Sequence, residues 1–359
     1  MCSEKSGVET KYLKRFAKWT FITLALSLIL LFSMALASTI GPMPISVGNA
    51  LGIILHQVPL VGNAVKKQWT AVEENVVVQL RLPRVLSAAL VGVALSITGV
   101  VFQGIFRNPM ADPYVLGVAS GGGFGAVLAI LFGVGLPTLG LFYAVPVMAC
   151  VWALFTIFLV YAIARTGFGI PVLRLLLAGI AVSSFFSSLI SLMMATAGED
   201  VHAAFSWLFG GFPICKWEYI NVASPAILVC SAAIYAFARD LNVMLLGEEQ
   251  ARHLGVEVEA VKKRLIILGS LITAVAVSIS GIIGFIGLIV PHITRILVGP
   301  DHRILIPSSA LVGASLLVLC DVVARIILRP IVLPTGVITA MLGAPFFIYL
   351  LVKSERIEV

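Results

Sequence analysis

Residues 81–125 read RLPRVLSAALVGVALSITGVVFQGIFRNPMADPYVLGVASGGGFG. An Arg-Leu-Pro-Arg opening leads into an apolar run long enough to cross a bilayer. A polar elbow at Asn108-Pro109 then turns the chain, and a helix rich in glycine carries it back. Proline suits the first turn of a helix, and arginines beside it suit a water boundary. This is the pattern of two consecutive membrane-crossing helices.

The rest of the chain is built alike. Of its 359 residues, 60% are hydrophobic and 11% charged, and its mean hydropathy is +1.09, a composition that no soluble domain has. A spanning helix needs about 20 apolar residues. Windows of that size fall near 19–40, 83–105, 114–133, 141–164, 171–196, 219–238, 261–280, 284–298, 304–327 and 333–352, which predicts an all-α membrane protein of about ten helices. The 284–298 window is short and holds Pro291 and His292, so it reads as a broken or half-inserted helix. The first window is too long for the apolar part of a signal peptide and ends on Ala-Ser-Thr, a poor cleavage site, so it is kept as a helix. The resulting division is a tail at 1–18, one membrane domain at 19–352 and a tail at 353–359.

Basic residues give the orientation, because lysine and arginine are retained in short cytoplasmic loops. With the N-terminus inside, roughly 17 of the 24 basic residues lie on the inner segments. Both termini are therefore expected to be cytoplasmic in a multi-pass cell-membrane protein. The same bias explains the net charge of +7 without nucleic acid as a partner. The five cysteines are scattered without a CxxC pair, which indicates neither a disulfide framework nor a metal site.

Ala94-Leu-Ser-Ile-Thr-Gly99 is followed ten residues later by Pro109, and Ala276-Val-Ser-Ile-Ser-Gly281 at the same interval by Pro291. The echo continues to Gly117 and Gly299. An odd number of crossings separates the two copies, so they run in opposite directions and form an internal inverted repeat, the architecture of many transport proteins.

Several motifs bear on function. Arg81 and Arg84 lie at one outer boundary and Arg329 at another, where they either snorkel or present fixed cations to a partner rich in carboxylates. The elbow residues Asn108 and Asp112 are placed to satisfy free backbone groups at helix termini. Gly121-Gly122-Gly123 superficially suggests a phosphate loop, yet no strand precedes it, no Lys-Ser/Thr follows and GxxxxGK[ST] is absent, so close helix packing explains it. Segment 246–257 is the longest polar interval of the second half. It reads either as a solvated connector or as a short helix for a partner's groove, with Ala251 and Leu254 on one face and Glu248, Glu249 and Arg252 toward water. Asp321 has Arg325 at i+4 as a local partner. HExxH and GxSxG are absent and the five histidines are dispersed, so no catalytic arrangement emerges.

The chain resembles the FecCD family, the permease subunits of ABC importers for iron–siderophore complexes, haem or cobalamin. The resemblance rests on RLPR at 81–84, GxxFQxIFRNPMADPYVLGVASGG from Gly99 to Gly122, LLLAG at 175–179, LGxExAxxLGV at 246–256, GFIGLIVPHITR at 284–295 and LPTGVITAMLGAPFFIYLL at 333–351. It implies a homodimer of ten-helix subunits around a path on the two-fold axis, with the fifth and tenth helices lining it. It also implies two cytoplasmic ATPase subunits that hold the ATP and magnesium, so this chain would bind no cofactor and perform no catalysis. The coupling helix would comprise Gly247, Glu248, Glu249, Ala251, Arg252, Leu254 and Gly255. Arg81, Arg84 and Arg329 would meet an extracytoplasmic binding protein, and Thr166, Gly167, Gly169 and Pro171 would lie near the inner gate. Ferric siderophore is the default cargo. The runner-up is an ion-coupled secondary transporter, which no chain of buried acids supports; a channel lacks a filter-like repeat.

Overall fold

Inside a bilayer a backbone has no water to bond, so a helix, which satisfies every N–H and C=O within its own segment, is the form an apolar single chain adopts. The computed structural model describes residues 2–41, 43–58, 62, 65–134, 140–166, 171–198, 200–213 and 215–355. The helices are α1 (Cys2–Thr39), α2 (Val47–His56), α3 (Ala71–Asn75), α4 (Leu82–Phe106), α5 (Val118–Phe132), α6 (Gly140–Ala164), α7 (Val172–Thr196), α8 (Val201–Leu208), α9 (Trp217–Ala236), α10 (Ala238–Met244), α11 (Glu248–His253), α12 (Val258–Ser280), α13 (Ile286–Val298), α14 (His302–Ile326) and α15 (Thr335–Glu355). Seven helical stretches are long and apolar enough to cross a membrane, and α2, α5, α13 and the apolar part of α15 are shorter. Every window expected from the sequence is a helix here. Helix α1 runs unbroken from Cys2, so no change of structure marks residue 18.

Burial sorts the helices. In the most apolar window of the stretch that ends with α4, 78% of residues are buried, against 11% for α1. Helix α4 is thus the central post, packed on α12, α13 and α14, while α1 faces outward. Glycine permits the close approach. A Cβ on Gly99 would lie 1.8 Å from the Gly287 carbonyl oxygen, and one on Gly92 would lie 2.3 Å from that of Gly313. In lipid such contact replaces the hydrophobic drive between helices. Gly99→Ala should therefore cost about 1–3 kcal/mol through overpacking, read as a lowered melting temperature in detergent. Gly48→Ala, which meets no atom within 4 Å, is the control that should not shift it.

Helix α13 has 13 residues and spans about 20 Å, short of the roughly 30 Å of hydrocarbon. The non-helical stretch 281–285 precedes it, bounded by left-handed backbone at Gly281 (φ 67) and Phe285 (φ 70). The window forms a short helix, as expected, but one that runs unbroken through Pro291. The sequence echo is looser in structure than its letters: Gly99 lies within α4, whereas Gly281 ends α12, and Pro109 lies in a loop, whereas Pro291 lies inside α13. What recurs is element order. A long helix, a short apolar helix and two further helices run α4–α5–α6–α7 and again α12–α13–α14–α15, and each short helix begins after a positive-φ residue, Gly117 or Phe285.

Helix α2 lay hidden in what reads as a loop at 41–80. Ser46 accepts from the Asn49 amide at its start. Thr70 and Glu73 form a reciprocal capping box at α3, a Thr-x-x-Glu signature visible in the sequence. Ile45, Ala50, Ile53, Trp69 and Val77 close a small core between these helices.

Candidate functional site

Helix α4 separates two ends of the molecule, each with a charged assembly. At its start, the last turn of α1 leaves carbonyls without intrahelical partners. Arg81 and Arg325 satisfy them. The Arg81 Nη1 donates to the carbonyls of Ser38 (2.9 Å) and Thr39 (2.7 Å), and its Nη2 to Met43. The Arg325 Nη1 donates to Ile40 (2.6 Å) and Ala37 (3.2 Å). Arg84 grips Asp321 with a two-nitrogen fork, Nη2–Oδ1 2.9 Å and Nε to both oxygens at 3.1 Å. Asp321 also takes Arg325 Nε at 3.1 Å and a hydrogen bond from the Thr335 hydroxyl. One buried carboxylate thus joins α4, α14 and α15.

This geometry departs from the sequence expectation in two ways. Arg81 is buried rather than held at a water boundary, because its guanidinium caps α1. Asp321 is shared between two arginines rather than neutralised by Arg325 alone. Of the three expected docking cations only Arg329 is exposed. The partners at 37–43 and 321 are distant in sequence, so no local pattern signals them.

At the other end, α4 stops at Arg107, whose backbone is left-handed (φ 48) and whose Nη2 donates to the Met244 carbonyl of α10 at 3.0 Å. The elbow caps as its sequence suggests: Asn108 accepts from the Met110 amide (2.9 Å) and Asp112 from that of Tyr114 (2.8 Å). The Tyr114 hydroxyl then both donates to and accepts from the backbone of Ile283. Asp301 collects Arg15 (2.6 Å), Arg303 and Asn242, which ties α1, α10 and α14 together. The hydrogen bond from Arg303 holds the Asp301 carboxyl well below the usual carboxylate range.

Helix α11 lies beside this knot. Gly247 (φ 131) and Gly255 (φ 86) flank it, conformations that a side chain would strain. Ala251 is 0% exposed and Leu254 63%, so the two residues do not share a face as the sequence suggested. Leu246 and Leu254 stand out as apolar knobs, with Glu249, Arg252 and His253 also exposed. Glu248 does not face water alone. It binds Lys262 of α12 at 3.3 Å, and Lys262, itself buried, also meets Glu259 at 2.6 Å. Lys262 was not legible as special, because in the sequence it is one member of a Lys262-Lys263-Arg264 run.

The remaining expected sites are more sparsely described. Thr166 is half-buried and Pro171 is exposed at the start of α7, while Gly167 and Gly169 lie outside the described residues. Helix α7 exposes Ser184, Ser187, Ser188 and Ser191 within a membrane-length span. Ser188 and Ser191 return their hydroxyl protons to carbonyls four residues earlier. The His292 ring lies edge-on to Phe346, and Arg295 donates to the Gln103 side chain at 3.2 Å.

A multi-pass helical bundle with a central packed post, polar assemblies at both ends and no soluble domain among the described residues is the frame of a membrane permease. The chain belongs to the FecCD transport family, which it matches over residues 28–353. It is similar to the cobalamin import system permease protein BtuC of Halobacterium salinarum, with 40% identity covering 92% of this chain and 95% of the relative. It also resembles the Fe(3+) dicitrate transport system permease protein FecD of Escherichia coli, with 37% identity covering 85% and 94%. Among solved structures, an inward-facing ABC transporter described as of the metal-chelate type matches with a TM-score of 0.79 and 33% identity, over 93% of this chain and 99% of that one. The protein is thus a permease of the ABC-transporter class, and its relatives are transport permeases.

Proposed function

We propose that two copies of this chain form the translocation path of an ATP-driven importer for a metal chelate, with ferric siderophore as the first candidate and haem or cobalamin behind it. The observation that carries this reading is α11. It is a short helix flanked by the exposed Leu246 and Leu254 and tied to α12 through Glu248 and Lys262, as a surface that must receive force from a partner would be. The partner is a pair of cytoplasmic ATPase subunits that bind ATP and magnesium. Closure of the ATPases does work on the permease only because nucleotide binds the closed state more tightly. Both termini lie on the same cytoplasmic side of the cell membrane.

The serine face of α7 supports the path. Four serines exposed on one face of a span, two with their hydroxyl protons bonded to carbonyls, make a small, mildly polar surface suited to water or to a second copy. Pro171 and Thr166, where α7 begins, belong to its inner gate. On the opposite side an extracytoplasmic binding protein docks. Its carboxylates meet Arg329, the exposed cation, while Arg81 and Arg84 shape the surface beneath.

The test is reconstitution. Purification should recover the ATPase with the permease, and vesicles should accumulate chelate only with ATP; accumulation driven by an ion gradient alone would overturn the reading in favour of a secondary transporter. Arg329→Glu should weaken binding-protein docking several-fold, with the effect shrinking as salt rises. An unchanged affinity would remove Arg329 from the interface.

A further inference from the structure

The small assembly between α1 and α4 has a face that its own core does not use. Helix α2 buries Ala50 and Ile53 against Trp69, and turns Val47, Leu51 and Leu55 outward. These three recur at i, i+4 and i+8, one stripe about 12 Å long. Val47 is 60% exposed and Leu55 45%. The helix carries no lysine, arginine or acid, and its one titratable side chain, His56, turns inward to the Gly62 carbonyl and the Trp69 ring. A charge-free helix with aliphatics toward bulk water would be an aggregation liability.

The surroundings say what covers it. Helix α1 exposes Phe21, Leu24, Leu28, Leu31 and Phe32 along its span, the lipid-facing surface of a membrane helix. That surface continues through exposed Leu36 and Met43 to Val47. Arg81 binds the carbonyls of Ser38, Thr39 and Met43, so the connection from α1 to α2 is held against the start of α4. Lys66 lies exposed in the return segment, suited to phosphate headgroups, while Lys67 beside it is paired with Glu74 at 2.6 Å.

We infer that α2 is an interfacial helix that lies in the lipid headgroup boundary, with Val47, Leu51 and Leu55 dipped into the acyl region. A surface helix of this kind is held by its buried apolar face and by attraction of nearby cations to anionic lipid. The consequence is mechanical. Lipid fixes the depth of α2, Trp69 and Val77 pass that depth to the start of α4, and Arg81 locks the same depth to the end of α1. The mouth of the central post is thus referenced to the membrane surface.

Spin labels test it in the full-length protein. Single cysteines replace Leu28, Leu51, Leu55 and Gln68 in turn, in a background whose native cysteines are alanine. The protein is placed in vesicles of phosphatidylcholine with a minor share of phosphatidylglycerol. Labels at Leu51→Cys and Leu55→Cys should collide with oxygen several-fold more readily than with a water-soluble nickel chelate, as the label on the lipid face at Leu28→Cys does. Free collision with the nickel chelate, matching Gln68→Cys, would overturn the inference. So would protection from both reagents, which would mean that a second copy covers the stripe. All four positions are exposed, so the labels displace no core, and the result does not depend on the transport reading.

Discussion

Asp321→Ala should be the most damaging single side-chain deletion at the Arg84 end of the bundle, with a loss of about 3–5 kcal/mol, the cost of breaking a buried ion pair and leaving its cations uncompensated. Two guanidinium groups, Arg84 and Arg325, depend on this one carboxylate, and Thr335 of α15 loses its acceptor as well. The protein should melt at a lower temperature in detergent or fail to accumulate in the membrane. Arg84→Met should cost less, because Asp321 then keeps Arg325. Arg329→Ala should fall within about 0.5 kcal/mol, as exposed substitutions do. If Arg84→Met proves as harmful as Asp321→Ala, the carboxylate is not the hub that its bonds describe.

On the proposed reading, Lys262→Met should separate motor from gate. Its ammonium links Glu248 of α11 to the first turn of α12, and α12 packs on the central α4. Removing the charge leaves two half-exposed carboxylates that water can solvate, so stability should change little. What goes, on that reading, is the stiffness between α11 and the helices behind it. Couplings of this kind amount to about 1–3 kcal/mol, or roughly 5- to 150-fold in an equilibrium. The expectation is that uptake falls at least several-fold while the complex still hydrolyses ATP, and that Lys262→Arg restores uptake. Glu248→Ala together with Leu254→Ala should uncouple in the same way. Undiminished uptake in Lys262→Met would show that α11 passes its motion by another contact.

The residues that reading alone placed well are those whose partners lie close in sequence. Asn108 and Asp112 cap groups two positions away, and they were recognisable from the elbow. The short α13 announced itself through its length and Pro291. Helix α2 escaped notice because ten apolar residues are too few for a span, although Ser46 and the Thr70–Glu73 capping box both mark helix starts there. The partners of Arg81, Arg84 and Lys262 were not legible for the opposite reason. A boundary arginine reads as a free cation until it is known which carbonyls or carboxylate lie above it, and Asp321 is 237 residues from Arg84.

From its order of residues alone this chain is a many-helix membrane protein, because the cost of burying a bare backbone in lipid leaves a run of about 20 apolar residues only one form. Tertiary structure alone decided which charges are tied within the bundle and which stay exposed. That depends on whether another helix brings an oxygen within about 3 Å of a guanidinium or ammonium group, a matter of helix packing rather than of composition.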